Sequence, residues 1–332
     1  MELRTEHVAG RSRLDRMLTM EMCRVTEAAA VAAARLRGQG DEKKADQAAV
    51  DAMRQELNNL PIKGRVVIGE GERDEAPMLY IGEEVGTGEG PEVDIALDPL
   101  EGTTLCAKNQ SNSLAVIAIG ERGNILFAPD VYMRKIAIGP GYADDLIHID
   151  RPVSENLRSL AAAKGVPVSQ INTCIMDRPR HAELIEEVRR CGASIRLISD
   201  GDVAGIIHTT NPAETGIDIY LGIGAAPEGV LAAAALRCTG GQMQGRLILD
   251  TDEKRERARK MGVEDPDRLY DKSELASGDV LFAATGVTDG NLLKGVQFTK
   301  DGIYTHTVAM RSRTGTVRWI DARHTHADKF TA

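Results

Sequence analysis

Residues 171–238 read INTCIMDRPRHAELIEEVRRCGASIRLISDGDVAGIIHTTNPAETGIDIYLGIGAAPEGVLAAAALRC, and their rhythm decides the fold. Short β-type runs (INTCIM, SIRLIS, IDIYLGI) alternate with helical patterns (HAELIEEVRRCG, VAGIIHT, VLAAAALRC), and SENLRSLAAAKG at 154–165 supplies a helix before the first of them. Such close alternation predicts an α/β half with mostly parallel strands. Three strand-to-helix crossings carry the loops DRPRH (177–181), DGD (200–202) and GAAPEG (224–229). Open α/β sheets hold ligands at the carboxyl ends of their strands, so this half is expected to hold a small molecule.

Toward the N terminus, Leu14, Leu18, Met22, Val25, Ala29, Ala32 and Leu36 recur at three- and four-residue steps, with Gly38 as a stop signal, which predicts an amphipathic helix. The charged turn GQGDEKKAD (38–46) leads into a second helical pattern through Ala48, Ala49, Ala52, Met53 and Leu57, with Asp46 at its beginning. RVVI (65–68) and VDIAL (93–97) read as strands, broken by GEGERDE and DPLEGTT, so both end in an acidic loop containing glycine. SLAVIAIG (113–120) and NILFAP (124–129), joined by a short polar segment, predict a hairpin and hence antiparallel sheet. The expected arrangement is an antiparallel N-terminal sheet and a mostly parallel C-terminal sheet, in an α+β domain over 1–150 and an α/β domain over 151–332, with the last ~20 residues returning to the first. The charged stretch 251–268 reads as a solvated surface helix over 252–261.

At 332 residues, 42% of them apolar, the chain is long enough to bury a large core without disulfides. Fifty acidic residues against 41 basic ones give a net charge of -9, and aromatic residues make up 3%. A nucleic-acid partner, which needs a basic face and stacking platforms, is not expected. Cys23, Cys106, Cys174, Cys191 and Cys238 are odd in number and none is close to another, the pattern of reduced cytosolic thiols that fill small core positions. MELRTEHVAG has no apolar stretch after its charges, and no run reaches the ~18 apolar residues of a membrane helix. Neither export nor a membrane partner is expected.

The carboxylates carry the chemistry. Glu70 and Glu72 lie just beyond one strand, and Asp98 and Glu101 lie just beyond another, three residues apart across a turn containing Pro99. If Asp46, Glu70, Asp98 and Glu101 converge, each close pair repels by about 4 kcal/mol at 4 Å and an effective dielectric of 20, so cations or protons must compensate. Hard oxygen donors without His or Cys suit Mg²⁺ or Mn²⁺ better than Zn²⁺. Gly102, Thr103 and Thr104 follow where a helix can begin, offering N–H groups to an oxyanion and hydroxyls to a water. Metal-binding carboxylates beside an anion site suit phosphate-ester hydrolysis. Each residue also has a plainer reading. Asp46 suits an N-cap, Asp98 and Glu101 suit turn positions, and Asp200 and Asp202 suit helix caps. Tyr132 suits packing and Glu228 a solvated loop, Arg178 and Arg180 suit surface charges as well as bidentate phosphate capture, and His324 and His326, in a charged tail, are expected to be solvated and not to bind metal.

KADQAAV (44–50), VVIGEGERDEAPMLYIGEEVG (66–86), VDIALDPLEGTT (93–104), APDVYMRK (128–135), DRPRH, SDGDV and GIGAAPEGV (222–230), in that order, resemble the class II fructose-1,6-bisphosphatase family over about residues 15 to 320. DPLEGT alone marks the wider group of metal-dependent, lithium-sensitive sugar and inositol phosphatases; GEGERDEAPMLYIGEE together with APEGV narrows it to class II. The resemblance implies the α-β-α-β-α sugar-phosphatase fold and hydrolysis of the 1-phosphate of fructose 1,6-bisphosphate, in gluconeogenesis or a pentose-phosphate cycle. It implies metal ligands at Asp46, Glu70, Asp98, Glu101 and Glu228 for two or more Mg²⁺ or Mn²⁺ ions. Thr103, with Asp46 or Glu70, would orient the attacking water. Substrate would be held by Glu101, Gly102, Thr103, Tyr132, Arg178, Pro179, Arg180, Asp200, Gly201, Asp202 and Ala225. A cytoplasmic homo-oligomer, dimer or tetramer, is implied too.

Arg178 and Ala225 depart from the lysine and glycine common in the family. MDRPRH, RLISDGDV and GIGAAPEGV resemble instead the branch that also accepts sedoheptulose 1,7-bisphosphate, but the cysteine-bearing insertion of that branch is missing from the short stretch Val85 to Val93. The nearest alternative is an inositol-monophosphatase-like or general sugar-monophosphate phosphatase. GIGAAPEG also invites a dinucleotide-binding reading, but it lacks the third glycine and the acidic residue about 20 positions on.

Overall fold

A computed structural model describes residues 14, 16–71 and 78–330, so Glu72 and the rest of the segment 72–77 lie outside the described residues. The N-terminal part runs α1 (Arg16–Ala34), α2 (Glu42–Asn58), β1 (Lys63–Ile68), β2 (Glu84–Val85), β3 (Glu92–Glu101), α3 (Thr103–Ala107), β4 (Leu114–Glu121) and β5 (Tyr132–Ile138). Next come α4 (Val153–Lys164), β6 (Asn172–Met176), α5 (Ala182–Arg190), β7 (Ser194–Ile198), α6 (Asp202–Ile207), α7 (Pro212–Thr215), β8 (Ile219–Ala225) and α8 (Ala226–Thr239). The chain continues through β9 (Gln242–Leu247), α9 (Asp252–Lys260), β10 (Tyr270–Asp271), α10 (Lys272–Leu275), β11 (Val280–Gly286), β12 (Gln297–Thr299), β13 (Gly302–Arg311) and β14 (Thr316–His324). The helices expected at 154–165, 203–209, 230–238 and 252–261 are all present, within a few residues.

Two sheets result. The first has the order β12-β13-β11-β4-β3-β1-β2, with β14 beside β13. It is antiparallel apart from the pair β1 and β3. The second has the order β10-β9-β5-β8-β6-β7. It is mixed where a mostly parallel sheet was expected: β6 runs parallel to β7 and β8, but β5 runs antiparallel to β8 and β9, and β10 to β9. The local strand–helix alternation does specify the parallel edge. It carries no information about β5, which arrives from before residue 150 and takes the place beside β8. Conversely, strands from 280 to 324 complete the first sheet, so the sheets interleave along the chain.

The hairpin expected over 113–129 does not form. Both edges of β4 are occupied, by β3 and by β11, which leaves no ladder for 124–129, and Ile125 makes a lone bridge to Ala276.

Three cores separate five layers. α1 and α2 cover the outer face of the first sheet through Met22, Val25, Ala29, Ala49, Met53 and Leu57, against Val66, Ile95 and Ile117. α4 and α5 cover the outer face of the second through Leu157, Leu160 and Val188, against Ile136, Ile175 and Ile219. Between the sheets lie α6 and α8. α8 is apolar on every side, which is why it lies in the middle: a helix buried all round has no face to offer water. Its run Ala232–Ala235 is fully buried, and these small side chains let both sheets approach it. Cys23, Cys106, Cys174 and Cys238 are buried and unpaired, as expected of core thiols. His324 is not solvated as expected: it is buried, bonded to the Thr305 hydroxyl at 2.9 Å, and edge-on to Phe330.

Because α8 is tightly enclosed, Ala233→Leu is expected to destabilise the protein by about 1–3 kcal/mol through overpacking. Urea unfolding measures this, and a change below about 0.5 kcal/mol would show slack in the central layer.

Candidate active site

The two strands that end in acidic loops are neighbours. β1 pairs with β3 in parallel, with Ile68 opposite Ala96, so their carboxyl ends emerge together and bring Glu70 beside Asp98. Gly69 is required there because a Cβ would lie 2.0 Å from the Leu79 carbonyl, to which the Glu70 N–H donates at 3.1 Å. Asp98 accepts the Leu100 N–H at 3.0 Å, closing a turn around Pro99. The β3–β4 register shifts between Asp98 and Glu101, a bulge that re-aims the Glu101 side chain. Glu101 accepts from the Val203 N–H at 3.4 Å and so reaches across to α6. Gly102 then adopts a left-handed conformation (φ 77°), and α3 starts at Thr103.

Asp46 is not the cap of α2. Asp41 takes that position, accepting from the Lys44 N–H at 3.0 Å, and Asp46 sits a turn inside the helix with its carboxylate free to face the two loops. From the second sheet, β8 passes into α8 without a loop. There Glu228 bonds back to the Ala225 N–H at 3.2 Å, and Asp200 precedes α6 at the left-handed Gly201. These segments enclose a cavity of about 350 Å³, whose lining includes Asp46, Glu70, Asp98, Glu101, Asp200 and Glu228. Gly102, Thr103 and Ala225 also line it, as does Asp130, which the sequence reading did not single out.

The electrostatics follow from burial. The Glu70 carboxyl is pushed up to about 9, first by desolvation and then by the charges of Asp46 and Asp98. Asp98 is raised to about 6 by desolvation, despite its hydrogen bonds to Glu101 and Leu100, with Asp46 and Asp200 adding repulsion. Glu101 is raised well above the usual range by burial and by Glu228, Asp98 and Asp202. Burial raises Glu228 too, with Asp202 adding to the effect and Lys135 opposing it. Asp46 and Asp200 shift upward, chiefly through desolvation. Such a group of acids holds its charge when a cation joins it.

A cationic rim borders this cavity. Tyr132 stands opposite Ala225 in the β5–β8 ladder and is 47% exposed, and the Arg180 guanidinium stacks on its ring at 4.7 Å. Arg180 also donates to the Ile223 carbonyl at 3.0 Å, while Arg178 pairs with Asp200 at 3.7 Å. Pro179 opens a one-turn 3₁₀ helix that ends in buried His181, whose ring bonds Met176 O at 2.7 Å and Ile223 N at 2.8 Å. This fastens the DRPRH loop to β8.

Asp202 differs from the other expected substrate contacts. It is 1% exposed, and its Oδ2 accepts from Lys135 at 2.5 Å and from the Tyr220 hydroxyl at 3.3 Å, so this carboxylate is engaged below the cavity. Lys135 went unremarked in the sequence. The usable signal was its place two residues from Met133 in strand β5, at an inward position of the burial pattern where a charge needs a partner.

The family profile described as "Bacterial fructose-1,6-bisphosphatase, glpX-encoded" matches residues 16–324. A D-fructose 1,6-bisphosphatase class 2/sedoheptulose 1,7-bisphosphatase of Synechococcus sp. (strain JA-3-3Ab) is 48% identical, covering 94% of this chain and 96% of the relative. The protein of the same description from Synechococcus elongatus is 47% identical, over 96% of this chain and 99% of its own. Among solved structures, an inositol monophosphatase from Anabaena (Nostoc) sp. PCC 7120 overlaps 58% of this chain and 71% of its own at 12% identity, with a TM-score of 0.30, too loose a likeness to carry an argument. From its first helix to its last strand, the chain belongs to the family of bacterial glpX-encoded fructose-1,6-bisphosphatases.

Proposed function

We propose that this protein hydrolyses the 1-phosphate of fructose 1,6-bisphosphate to fructose 6-phosphate and phosphate, that it also accepts sedoheptulose 1,7-bisphosphate, and that it works with divalent cations, Mg²⁺ or Mn²⁺. The observation that carries this reading is the convergence of Asp46, Glu70, Asp98, Glu101 and Glu228 on one cavity beside Arg178 and Arg180. The donors fit a hard divalent ion: all are carboxylate oxygens, and burial first and then their mutual repulsion raise their proton affinities. When bound, such ions acidify water and stabilise charge on the ester oxygens.

The chain's own part is then positional. Thr103, at the start of α3, orients the attacking water by its hydroxyl, and Asp46 or Glu70 accepts the water's proton as oxygen joins phosphorus and the sugar oxygen leaves. N–H groups at Gly102 and Thr103 meet the phosphoryl oxygens. Arg178 and Arg180 hold the distal phosphate by charge-assisted hydrogen bonds, with Pro179 stiffening their loop and Tyr132 supporting the Arg180 plane. Asp200, Gly201 and Ala225 flank the sugar, so remote binding energy fixes the reacting end. In this reading the first sheet handles the scissile phosphate and the second the sugar and distal phosphate.

A phosphate-release assay over mono- and bisphosphates with each divalent ion tests the proposal. Turnover should be metal-dependent and fastest with the two bisphosphates; preference for a monophosphate would favour the alternative phosphatase. Asp98→Asn should reduce turnover by at least about a hundredfold without unfolding the protein, and retention of more than a few per cent would remove Asp98 from the ligand set. Arg180→Ala should raise KM for bisphosphates about tenfold or more and leave a monophosphate nearly unaffected, whereas equal effects on both would contradict anchoring.

The raised Glu70 acid also fixes a sign. Its folded-state value lies above its unfolded one, so its stabilising contribution is complete at low pH and is lost as pH rises toward about 9. Metal-free protein should therefore lose about 5 °C or more of Tm between about pH 7 and pH 9, and saturating Mg²⁺ or Mn²⁺ should abolish the loss. A flat metal-free profile in calorimetry would contradict the account.

A further inference from the structure

Lys135 is a lysine with no exposed side-chain surface, enclosed below the cavity floor. Its ammonium lies 2.5 Å from Asp202 Oδ2, 2.7 Å from the Ala225 carbonyl and 3.9 Å from Glu228 Oε2. Its surroundings are shaped to admit it. A Cβ at Gly224 would sit 2.0 Å from Asp202 Oδ2 and 3.0 Å from Lys135 Nζ. Gly224 thus leaves room for this ion pair.

The same carboxylate belongs to a tight group: Glu101, Asp202 and Glu228 each bring an oxygen to within 4.8 Å of the others. Asp202 uses Oδ2 for Lys135, while its Oδ1 is buried without a hydrogen-bond partner among the described residues. Once its protons are displaced, the group of three carboxylates and one ammonium carries two negative charges, which one divalent cation balances. Without the ammonium the group would be one charge over.

We propose that Lys135 is the permanent counter-ion of the Glu101–Asp202–Glu228 group, a positioning residue that sets its charge to match one divalent cation and holds Asp202 and the Ala225 carbonyl in register beneath Glu228. The inference rests on the metal-dependent reading of the same cavity. Lys135 meets neither substrate nor water; it acts through the acids it touches. Asp202 correspondingly serves the charge balance of the site.

Binding of Mn²⁺ alone to the full chain, followed by loss of the free-ion EPR signal, tests this without reference to turnover. Lys135→Met adds an uncompensated negative charge and should lower the Mn²⁺ Kd at least tenfold. Asp202→Asn removes one carboxylate while keeping the ammonium and should raise the Kd at least tenfold. The double variant Lys135→Met/Asp202→Asn, which removes both charges, should return to within about threefold of the parent. Should Lys135→Met not fold, because a buried carboxylate has lost its partner, the comparison of Asp202→Asn with the double variant decides alone. Equal Kd values in those two proteins, or a Lys135→Met Kd unchanged or weaker in folded protein, would overturn the proposal. Absence of Mn²⁺ binding by the parent chain would overturn the metal reading as well.

Discussion

Like charges that are forced together and kept from water are the constraint around which this protein is organised. Every close pair of carboxylates in the cavity costs several kcal/mol of repulsion at an effective dielectric of 20. Asp46, Glu70, Asp98, Glu101, Asp200 and Glu228 nevertheless line one cavity. In the bare chain burial, and then this repulsion, raises the proton affinity of Glu70, Asp98, Glu101 and Glu228, and an internal cation at Lys135 opposes the repulsion. A site arranged this way is ready to exchange protons for metal ions at little structural cost, because the carboxylates already stand where the ions are needed.

Holding such groups in place takes a rigid frame. One side of the cavity hangs from the parallel pair β1 and β3, whose ends emerge together, and the other from the first turns of α6 and α8. Glu101 bridges the two by accepting from Val203 N. α8 lies between the sheets with almost no exposed surface, so Glu228 at its first turn cannot shift without disturbing both. The arginine loop is mounted separately, on the rim, where His181 and the stacking of Arg180 on Tyr132 steady it. Rigid floor and anchored rim together favour a substrate that is anionic at both ends.

Much of this was legible in the residues. The acidic loops after RVVI and VDIAL, the helix start at Thr103 and the strand–helix alternation from 154 onward are local patterns, and local patterns survive folding. What failed was long-range. The hairpin at 113–129 could not be judged without knowing that β11, some 160 residues later, takes the free edge of β4. The parallel character of the second sheet was overestimated because β5 enters it from before residue 150 and runs antiparallel to both β8 and β9. Asp46 was ambiguous between cap and ligand until Asp41 was seen to occupy the cap. Lys135 was missed because a lone lysine in a strand ordinarily faces water, and its partner Asp202 lies 67 residues away.

The most direct measurement is an anomalous-scattering map of crystals grown with Mn²⁺. The account predicts manganese peaks inside the cavity, at about 2.0–2.4 Å from carboxylate oxygens of Asp98 and at least two of Asp46, Glu70, Glu101 and Glu228. Manganese bound only elsewhere on the protein, in crystals of an enzyme that turns over in the same solution, would contradict it.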